Sequence, residues 1–313
     1  MPAGSPMVIE RTGFMVILLC GVLFPDYTAG RRIFQSGALT KWNGSDKMKE
    51  NQRIKEREIM MKALVTGADR GLGLAFTTLL LKEGWEVFAG QYMVEETGLT
   101  TLQAEYGARL HVLPLDVSSD DSVDHALSYV SGLTDSLNLI ANIAGIMAST
   151  VVEKDPAKRD SPVGDGTIFD PMDSKALLRL FDVNTLGPMR VTNRFVNLLL
   201  AAEGDKTLVN ISSEAGSIQT PVVERDFLYG YCMSKTALNL QSRFLQRSLA
   251  PKGVRVFNIE PGYMKSYIIS GTYRAEATVE CADTAAGIYK MMKERRDVDG
   301  DIYFRFSGEK LEW

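Results

Sequence analysis

The stretch KALVTGADRGLGLAFTTLLLKEG, residues 62–84, decides the fold. It opens on the short strand KALVTG and turns through glycines into a run whose apolar members are Leu72, Leu74, Phe76, Leu79 and Leu80, the pattern of an amphipathic helix. Each glycine has a separate use. Gly67 permits a tight turn off the strand, Gly71 lets the backbone approach a pyrophosphate, and Gly73 lets helix and strand pack closely. The helix N-terminus then faces the phosphates with unpaired N–H groups. Glycines are common in strand-to-helix turns, so their number alone says little. The spacing TGxxxGxG, placed after a strand and opening the first βαβ unit, says more.

Outward from that turn, short apolar runs alternate with helical ones. WEVFAG reads as the next strand, RLHVLPLDV as the third, DSVDHALSYV as a helix and LNLIANIAG as the fourth strand. That alternation is the signature of an α/β fold, a single doubly wound parallel sheet of Rossmann type with helices on both faces, over residues 61–313.

Composition narrows the classes of function. The chain has 313 residues, 45% hydrophobic and 24% charged, as in a globular α/β protein. A net charge of −4 gives no electrostatic reason to expect nucleic acid or an anionic membrane as partner. Cys20, Cys232 and Cys281 are unclustered, which argues against a disulfide framework or a cysteine metal site and fits a reducing, cytoplasmic setting. His111 and His125 lie in a strand-like and a helix-like run without metal-binding spacing, so no metal is expected. Histidine base chemistry is not expected either.

Residues 1–60 read differently. GFMVILLCGVLF, 13–24, is too short to cross a hydrocarbon core, which needs about 20 apolar residues. It has the length of a signal-peptide core. The polar run SGALTKWNGSDKMKENQRIKEREIM lacks any sustained apolar period and reads as disordered leader. Alternatively, KEREIMM is compatible with a purine-rich ribosome-binding sequence before a start at Met60 or Met61, which would make the leader translated upstream sequence in a bacterial gene.

The second chemical feature is YGYCMSKTALNL, 229–240. Tyr231 and Lys235 are spaced to share one face of a helix. A free tyrosine, with pKa of about 10, is a poor acid–base catalyst near neutrality. A lysine cation one turn away favours the phenolate and is expected to lower that pKa. The spacing is weak alone, because Tyr289 and Lys293 in YKMMK repeat it, on a run that reads as a solvated helix face. Tyr231 and Lys235 differ in opening a helix after a serine-bearing strand, KTLVNISSEAGS, and a polar loop. Tyr229 has Met233 as its partner one turn on, and Cys232 reads as a packing cysteine.

Taken in order, these motifs resemble those of the short-chain dehydrogenase/reductase family across residues 62–306. Around YCMSKTALN and EPGYMKS the wording is most similar to carbonyl-reductase-like, C-factor-type members. The resemblance implies a cofactor set of Gly67, Asp69, Arg70, Gly71, Leu72 and Gly73 in the turn, with Asp116 and Val117 of LDV on the adenine side. It carries Asn142, Ala144 and Gly145 over from ANIAG, where Ile143 departs from the family's second asparagine. It adds Pro261, Gly262 and Ser266 on the nicotinamide side, with Tyr231 and Lys235 touching cofactor as well. The implied catalytic set is Asn184, Ser213, Tyr231 and Lys235. Ser213 is the second serine of its pair and would polarise a carbonyl oxygen. Asn184, in FDVNTLGP, would hold a water in the proton relay, and Pro188 predicts a helix distortion there.

The expected activity is NAD(P)(H)-dependent interconversion of a small carbonyl compound and its alcohol, with Tyr231 as acid and base. The end of the second strand, FAGQYM, carries no acid for a ribose 2′-hydroxyl, and Arg70 can meet a 2′-phosphate, so NADP(H) is favoured over NAD(H). The insertion 149–173 and the lid-like segment 263–280, with Tyr263, Met264, Tyr267, Ile268 and Ile269, are expected to set the substrate. A homodimer or homotetramer through the long helices is a family expectation, with Leu238, Phe244, Leu245 and Leu249 as apolar residues to spare. Two rivals stand beside this reading. One is a dinucleotide-sensing regulator without turnover; the other, an epimerase or dehydratase, usually carries TGxxGxxG and a longer C-terminal domain.

Overall fold

A computed structural model describes residues 60–147, 169, 173–219, 228–268 and 273–313. The expectations for the leader, for most of the insertion 149–173 and for Ile269 lie outside the described residues. The rest begins at once on β1 (Lys62–Val65), whose last three residues are fully buried. The further strands are β2 (Glu86–Gln91), β3 (Leu110–Pro114), β4 (Leu139–Asn142), β5 (Lys206–Ile211), β6 (Val254–Glu260) and β7 (Tyr303–Arg305). They form one sheet in the order β3-β2-β1-β4-β5-β6-β7, and neighbouring strands pair in parallel. Parallel strands covered on both faces need continuous apolar runs, and all seven residues of VRVFNIE in β6 are buried.

The helices are α1 (Gly71–Lys82), α2 (Gly98–Tyr106), α3 (Asp120–Ser131), α4 (Ser174–Phe181), α5 (Gly187–Ala201), α6 (Tyr229–Leu249) and α7 (Cys281–Glu294). Two cores result. Phe76, Leu80 and Leu81 of α1 pack with Ile288 and Met291 of α7 on one face. Val123 and Val130 of α3 pack with Val191, Phe195 and Leu199 of α5 on the other. Strand order reverses between β1 and β4, and there the ends of both strands open a crevice, the place where doubly wound sheets bind ligands.

The expected distortion near Asn184 is present. Asp182–Leu186 is a π-helical turn between α4 and α5, and Pro188 falls in the first turn of α5, where its missing N–H interrupts the ladder running back into that turn. The apolar residues of α6 divide. Leu238 and Leu249 belong to the core, whereas Phe244 is 60% exposed and is joined on the surface by Leu240 and Met233. Among the described residues, no helix is long and apolar enough to cross a membrane.

Candidate active site

The glycine turn is built as its spacing demands. Gly67 and Gly71 take φ of +61° and +54°. A Cβ on Gly73 would stand 1.9 Å from the Gly67 carbonyl oxygen, and one on Gly67 would stand 2.9 Å from the Ala144 Cα. The turn therefore touches both its own helix and the end of β4. Thr66 ties those two together, its hydroxyl accepting the Ile143 and Ala144 amides at 3.0 and 3.1 Å.

At the head of α1 the cap residue is Arg70, extended and without a side-chain cap bond, and no acid stands in the first turn. Helix α3 contrasts with it: Ser119 caps the Ser122 amide, and Asp120 and Asp121 supply negative charge. The α1 amides are thus left for an anion. Asp69 faces inward at 4% exposure and accepts the Tyr92 amide at 3.2 Å, which pins the turn to the end of β2. Burial raises its carboxyl above the usual range, against the pull of that hydrogen bond. Arg70 lies against Glu96, Nη1 to Oε1 at 3.4 Å, and its guanidinium covers the Tyr267 ring at 5.3 Å.

A cleft with about 1220 Å³ of empty space runs along the C-terminal ends of the strands. Of the expected cofactor residues, Gly67, Asp69, Arg70, Gly71, Leu72 and Gly73 line it at one wall. Asp116, Val117, Ala144 and Gly145 line the middle, and Tyr231, Lys235, Pro261 and Ser266 the far end. The sequence reading missed Tyr92, Met93, Ile143, Ile146, Arg179 and Ser212. Arg179 has a signal only in three dimensions: its Nη1 donates to Ser118 Oγ, whose hydroxyl donates to Asp116 at 2.6 Å.

Two expected cofactor residues do not line the cleft. Asn142 is 3% exposed and donates to Asn210 Oδ1 at 2.8 Å and Thr192 Oγ1 at 3.2 Å. It is the first rung of a buried ladder. Asn142, Asn210 and Asn258 are register partners on β4, β5 and β6, and the chain of bonds continues through Ser242 and Asn239 to Ser212. Its side chain stitches strands because, in a parallel strand, alternate residues face the helix layer rather than the strand ends. Gly262 instead shapes the turn beside the cleft with φ of +83°.

The catalytic candidates converge. Tyr231 is 5% exposed, and its phenol lies near enough to the Ser213 side chain for that hydroxyl to oppose the effect of burial on its pKa. Ser212 is the structural member of its pair, donating to Asn239 Oδ1 at 2.5 Å. Lys235 is 3% exposed, its Nζ 5.8 Å from the Tyr231 ring centroid and donating to the Ile211 carbonyl at 2.9 Å. Asn184 is fully buried. Its Oδ1 accepts the Ile146 amide and its Nδ2 donates to the Ile146 carbonyl, both at 2.9 Å, and also to Ser234 Oγ at 3.1 Å. Gly145 keeps the space between them open: a Cβ there would lie 3.3 Å from Asn184 Oδ1 and 3.6 Å from Lys235 Nζ.

The expected lowering of the tyrosine pKa by lysine is not what the protein groups produce. Burial pushes Tyr231 up to about 12, with the Ser213 hydroxyl pulling the other way, and burial pushes Lys235 down to about 8. Desolvation outweighs the pair's attraction at this separation, so the phenol keeps its proton at neutral pH. The second YxxxK pair lies elsewhere. Tyr289 accepts from the Trp85 indole at 3.4 Å, and Lys293, 62% exposed, faces Glu83 on the α1–α7 side. Lys293 is solvated as expected, while Tyr289 is partly buried in the core.

Comparison with known proteins agrees with this geometry. The family described as short chain dehydrogenase matches residues 61–276. The chain belongs to the short-chain dehydrogenase/reductase family. It is 31% identical over 209 residues to mouse retinol dehydrogenase 5, covering 64% of this chain and 56% of that protein. It is 30% identical over 205 residues to mouse mitochondrial D-beta-hydroxybutyrate dehydrogenase, covering 64% and 53%. The chain thus spans about half the length of the curated relatives it matches. Among solved structures, an NADPH-bound carbonyl reductase from chicken fatty liver superposes with TM-score 0.68 at 25% identity, over 81% of this chain and 99% of that one. A Burkholderia multivorans short-chain dehydrogenase/reductase with bound NADP gives 0.65 at 25% identity, over 81% and 100%.

Proposed function

We propose that this protein is a carbonyl reductase that uses NADP(H) in preference to NAD(H) and acts on a small aldehyde or ketone. The observation that carries the reading is that Tyr231 and Lys235 line one end of a cleft, with Ser213 beside the phenol and buried Asn184 beside Gly145 with Lys235, while the uncapped head of α1 lines the other wall. The cofactor fits the residues present. The free α1 amides would take its pyrophosphate, Asp116 and Val117 its adenine, Arg70 a 2′-phosphate, and Pro261 and Ser266 its nicotinamide end. When bound, it supplies the hydride.

Ser213 donates its hydroxyl to the substrate oxygen, where negative charge develops. Tyr231, held protonated by burial, delivers the proton to that oxygen. A phenol pushed up to about 12 is protonated near neutrality but is a weaker acid than free tyrosine, so the transfer depends on the Lys235 charge favouring the phenolate. Lys235 leaves the Ile211 carbonyl for the cofactor ribose and brings its charge to the phenolate that forms. Asn184 fixes the Ile146 backbone at the back of the site and holds the relay water beside Lys235.

Residues 61–313 act as one catalytic domain in this reading, in the cytoplasm, as a homodimer or homotetramer through a surface that includes Leu240 and Phe244 of α6. The lid side chains Met264, Tyr267 and Ile268 give the cleft an apolar end suited to an uncharged carbonyl compound.

The test is NADPH and NADH oxidation across aldehydes, ketones and quinones, with Tyr231→Phe and Tyr289→Phe beside the wild type. Tyr231→Phe is expected to lose turnover by about 10³-fold or more while binding NADPH nearly as well, and Tyr289→Phe to keep its rate. Cofactor binding without turnover on any of these substrates favours a dinucleotide-sensing regulator instead.

A further inference from the structure

One buried acid takes no part in the chemistry above. Glu260 ends β6, immediately before the Pro261–Gly262 turn, and is 4% exposed. Its Oε1 accepts the Gly262 amide at 2.7 Å and so bends the chain into the turn. Its Oε2 is buried, has no hydrogen-bond partner, and faces Arg305 Nη1 at 3.8 Å. Arg305, on β7, reaches two further acids: Nη2 donates to Glu214 Oε2 and Nε to Glu309 Oε2, both at 3.0 Å. Glu214 directly follows Ser213. Two residues back on the same strand, and therefore on the same side of it, Tyr303 donates its hydroxyl to the Ser213 carbonyl at 2.7 Å. Strand β7 thus grips the serine loop twice and the nicotinamide-side turn once.

Resting on the function proposed above, we propose that Arg305 and Glu260 form a positioning clamp that holds the Ser213 loop and the Pro261–Gly262 turn in one fixed relation. The two segments leave neighbouring strands, whose last backbone bond between them is the Ser212 amide donating to the Ile259 carbonyl at 2.7 Å; beyond it, Arg305 is the side chain that reaches both. A guanidinium fork has the rigidity to hold two carboxylates at a set angle, which a lysine would not. The reaction needs that relation, because Ser213 addresses the substrate oxygen while the turn sets where the hydride donor lies. A displacement of about 1 Å between reacting groups costs on the order of 10²-fold in rate.

Charge supports the same reading. Three carboxylates, Glu214, Glu260 and Glu309, surround the single guanidinium, and Tyr231 and Tyr303 are the other titratable groups within reach. Burial pushes the Glu260 carboxyl up to about 6, the Gly262 amide and Arg305 opposing and Glu214 and Glu309 assisting. Ionised Glu260 in turn raises the Tyr231 phenol.

The experiment compares Arg305→Gln, Glu214→Gln and Glu260→Gln in the full chain, with Glu309→Gln as the exposed control. It measures kcat and KM, NADPH affinity by fluorescence titration, and the pH profile of alcohol oxidation. Arg305→Gln, Glu214→Gln and Glu260→Gln are expected to lower kcat by ~10-fold or more while NADPH affinity stays within about twofold. Glu309→Gln is expected to leave both unchanged. Glu260→Gln removes a negative charge near the phenol, so the limb reporting Tyr231 moves to lower pH, a shift that lost packing alone does not cause. Should Arg305→Gln fail to fold, Glu214→Gln decides the clamp, since that carboxylate is part-exposed. The clamp is overturned if Glu214→Gln or Glu260→Gln keeps kcat within about twofold. Retained turnover in Tyr231→Phe would instead overturn the underlying reading, whatever the clamp variants do.

Discussion

Replacing Gly73 by alanine tests the cofactor wall most sharply, because the structure fixes what the added methyl meets. The Cβ would stand 1.9 Å from the Gly67 carbonyl oxygen, 2.6 Å from the Gly67 carbonyl carbon and 2.9 Å from the Ala68 Cα. All three are backbone atoms, so no side chain can swing aside. Restoring ordinary contact needs roughly 1.3 Å of separation between the turn and α1. Overpacking of this kind costs about 1–3 kcal/mol, or a fall in Tm of roughly 3–10 °C for a domain of this size. The same movement carries the α1 amides off the phosphate position. Losing one or two charge-assisted bonds at about 1.5–3 kcal/mol each weakens NADPH binding by ~10- to 100-fold or more. Gly84→Ala is the control. Gly84 has φ of +88° and nothing within 4 Å of an added Cβ, so it suffers backbone strain of about 1–2 kcal/mol and no contact. Thermal unfolding and NADPH fluorescence titration on both variants separate the effects. Gly73→Ala that binds NADPH as the wild type does, with only the Tm loss of Gly84→Ala, refutes the close approach on which the cofactor site rests.

Arg70→Ala is expected to raise the KM for NADPH by ~10-fold and leave that for NADH near its wild-type value, because only a 2′-phosphate uses the guanidinium. Glu96→Gln, which frees Arg70 from its partner at 3.4 Å, shifts the preference the other way; matched kinetics with both cofactors check the two together. Lys235→Met is expected to abolish turnover and to raise Tm at pH 7 in the absence of cofactor. The folded-state pKa of Lys235, lowered to about 8, corresponds to a penalty of about 3 kcal/mol for keeping the buried amine charged. The sign in pH follows. Between about 8 and 10.5 the unfolded chain binds the lysine proton and the native one does not, so wild-type stability gains on rising pH there. Between 10 and about 12 the Tyr231 phenol holds its proton only when folded, and that gain reverses. Denaturant melts from pH 7 to 11 on wild type and Lys235→Met check both windows.

Much of this was legible because the motifs have local causes. A turn needing two positive φ values and one close approach writes three glycines at fixed spacing. A proline four residues past the buried Asn184 writes the break at Asp182–Leu186. Burial of both strand faces writes continuous apolar runs. None of these depends on where distant parts of the chain lie. Arg179, Tyr92 and Ile146 were missed for the converse reason: each reaches the cleft only because the sheet order brings α4, the end of β2 and the end of β4 together.

Asn142 and the tyrosine–lysine pair are the more instructive differences. Asn142 was assigned to the cofactor by its place in a motif, yet its side chain joins Asn210 and Asn258 in a rung across three strands that ends, through Asn239, at Ser212. A buried polar ladder is costly unless every member is paired, and its gain is specificity of arrangement. Here the arrangement fixed is the backbone next to Ser213. The tyrosine–lysine pair differs in the same way. Spacing correctly put both side chains on one buried helix face, but spacing cannot report dielectric. Burial, the larger effect, drives both groups towards neutrality, raising Tyr231 and lowering Lys235. What spacing supplies is a phenol and an amine close enough for a third charge to change both; what the fold supplies is a dry wall that makes such a change large.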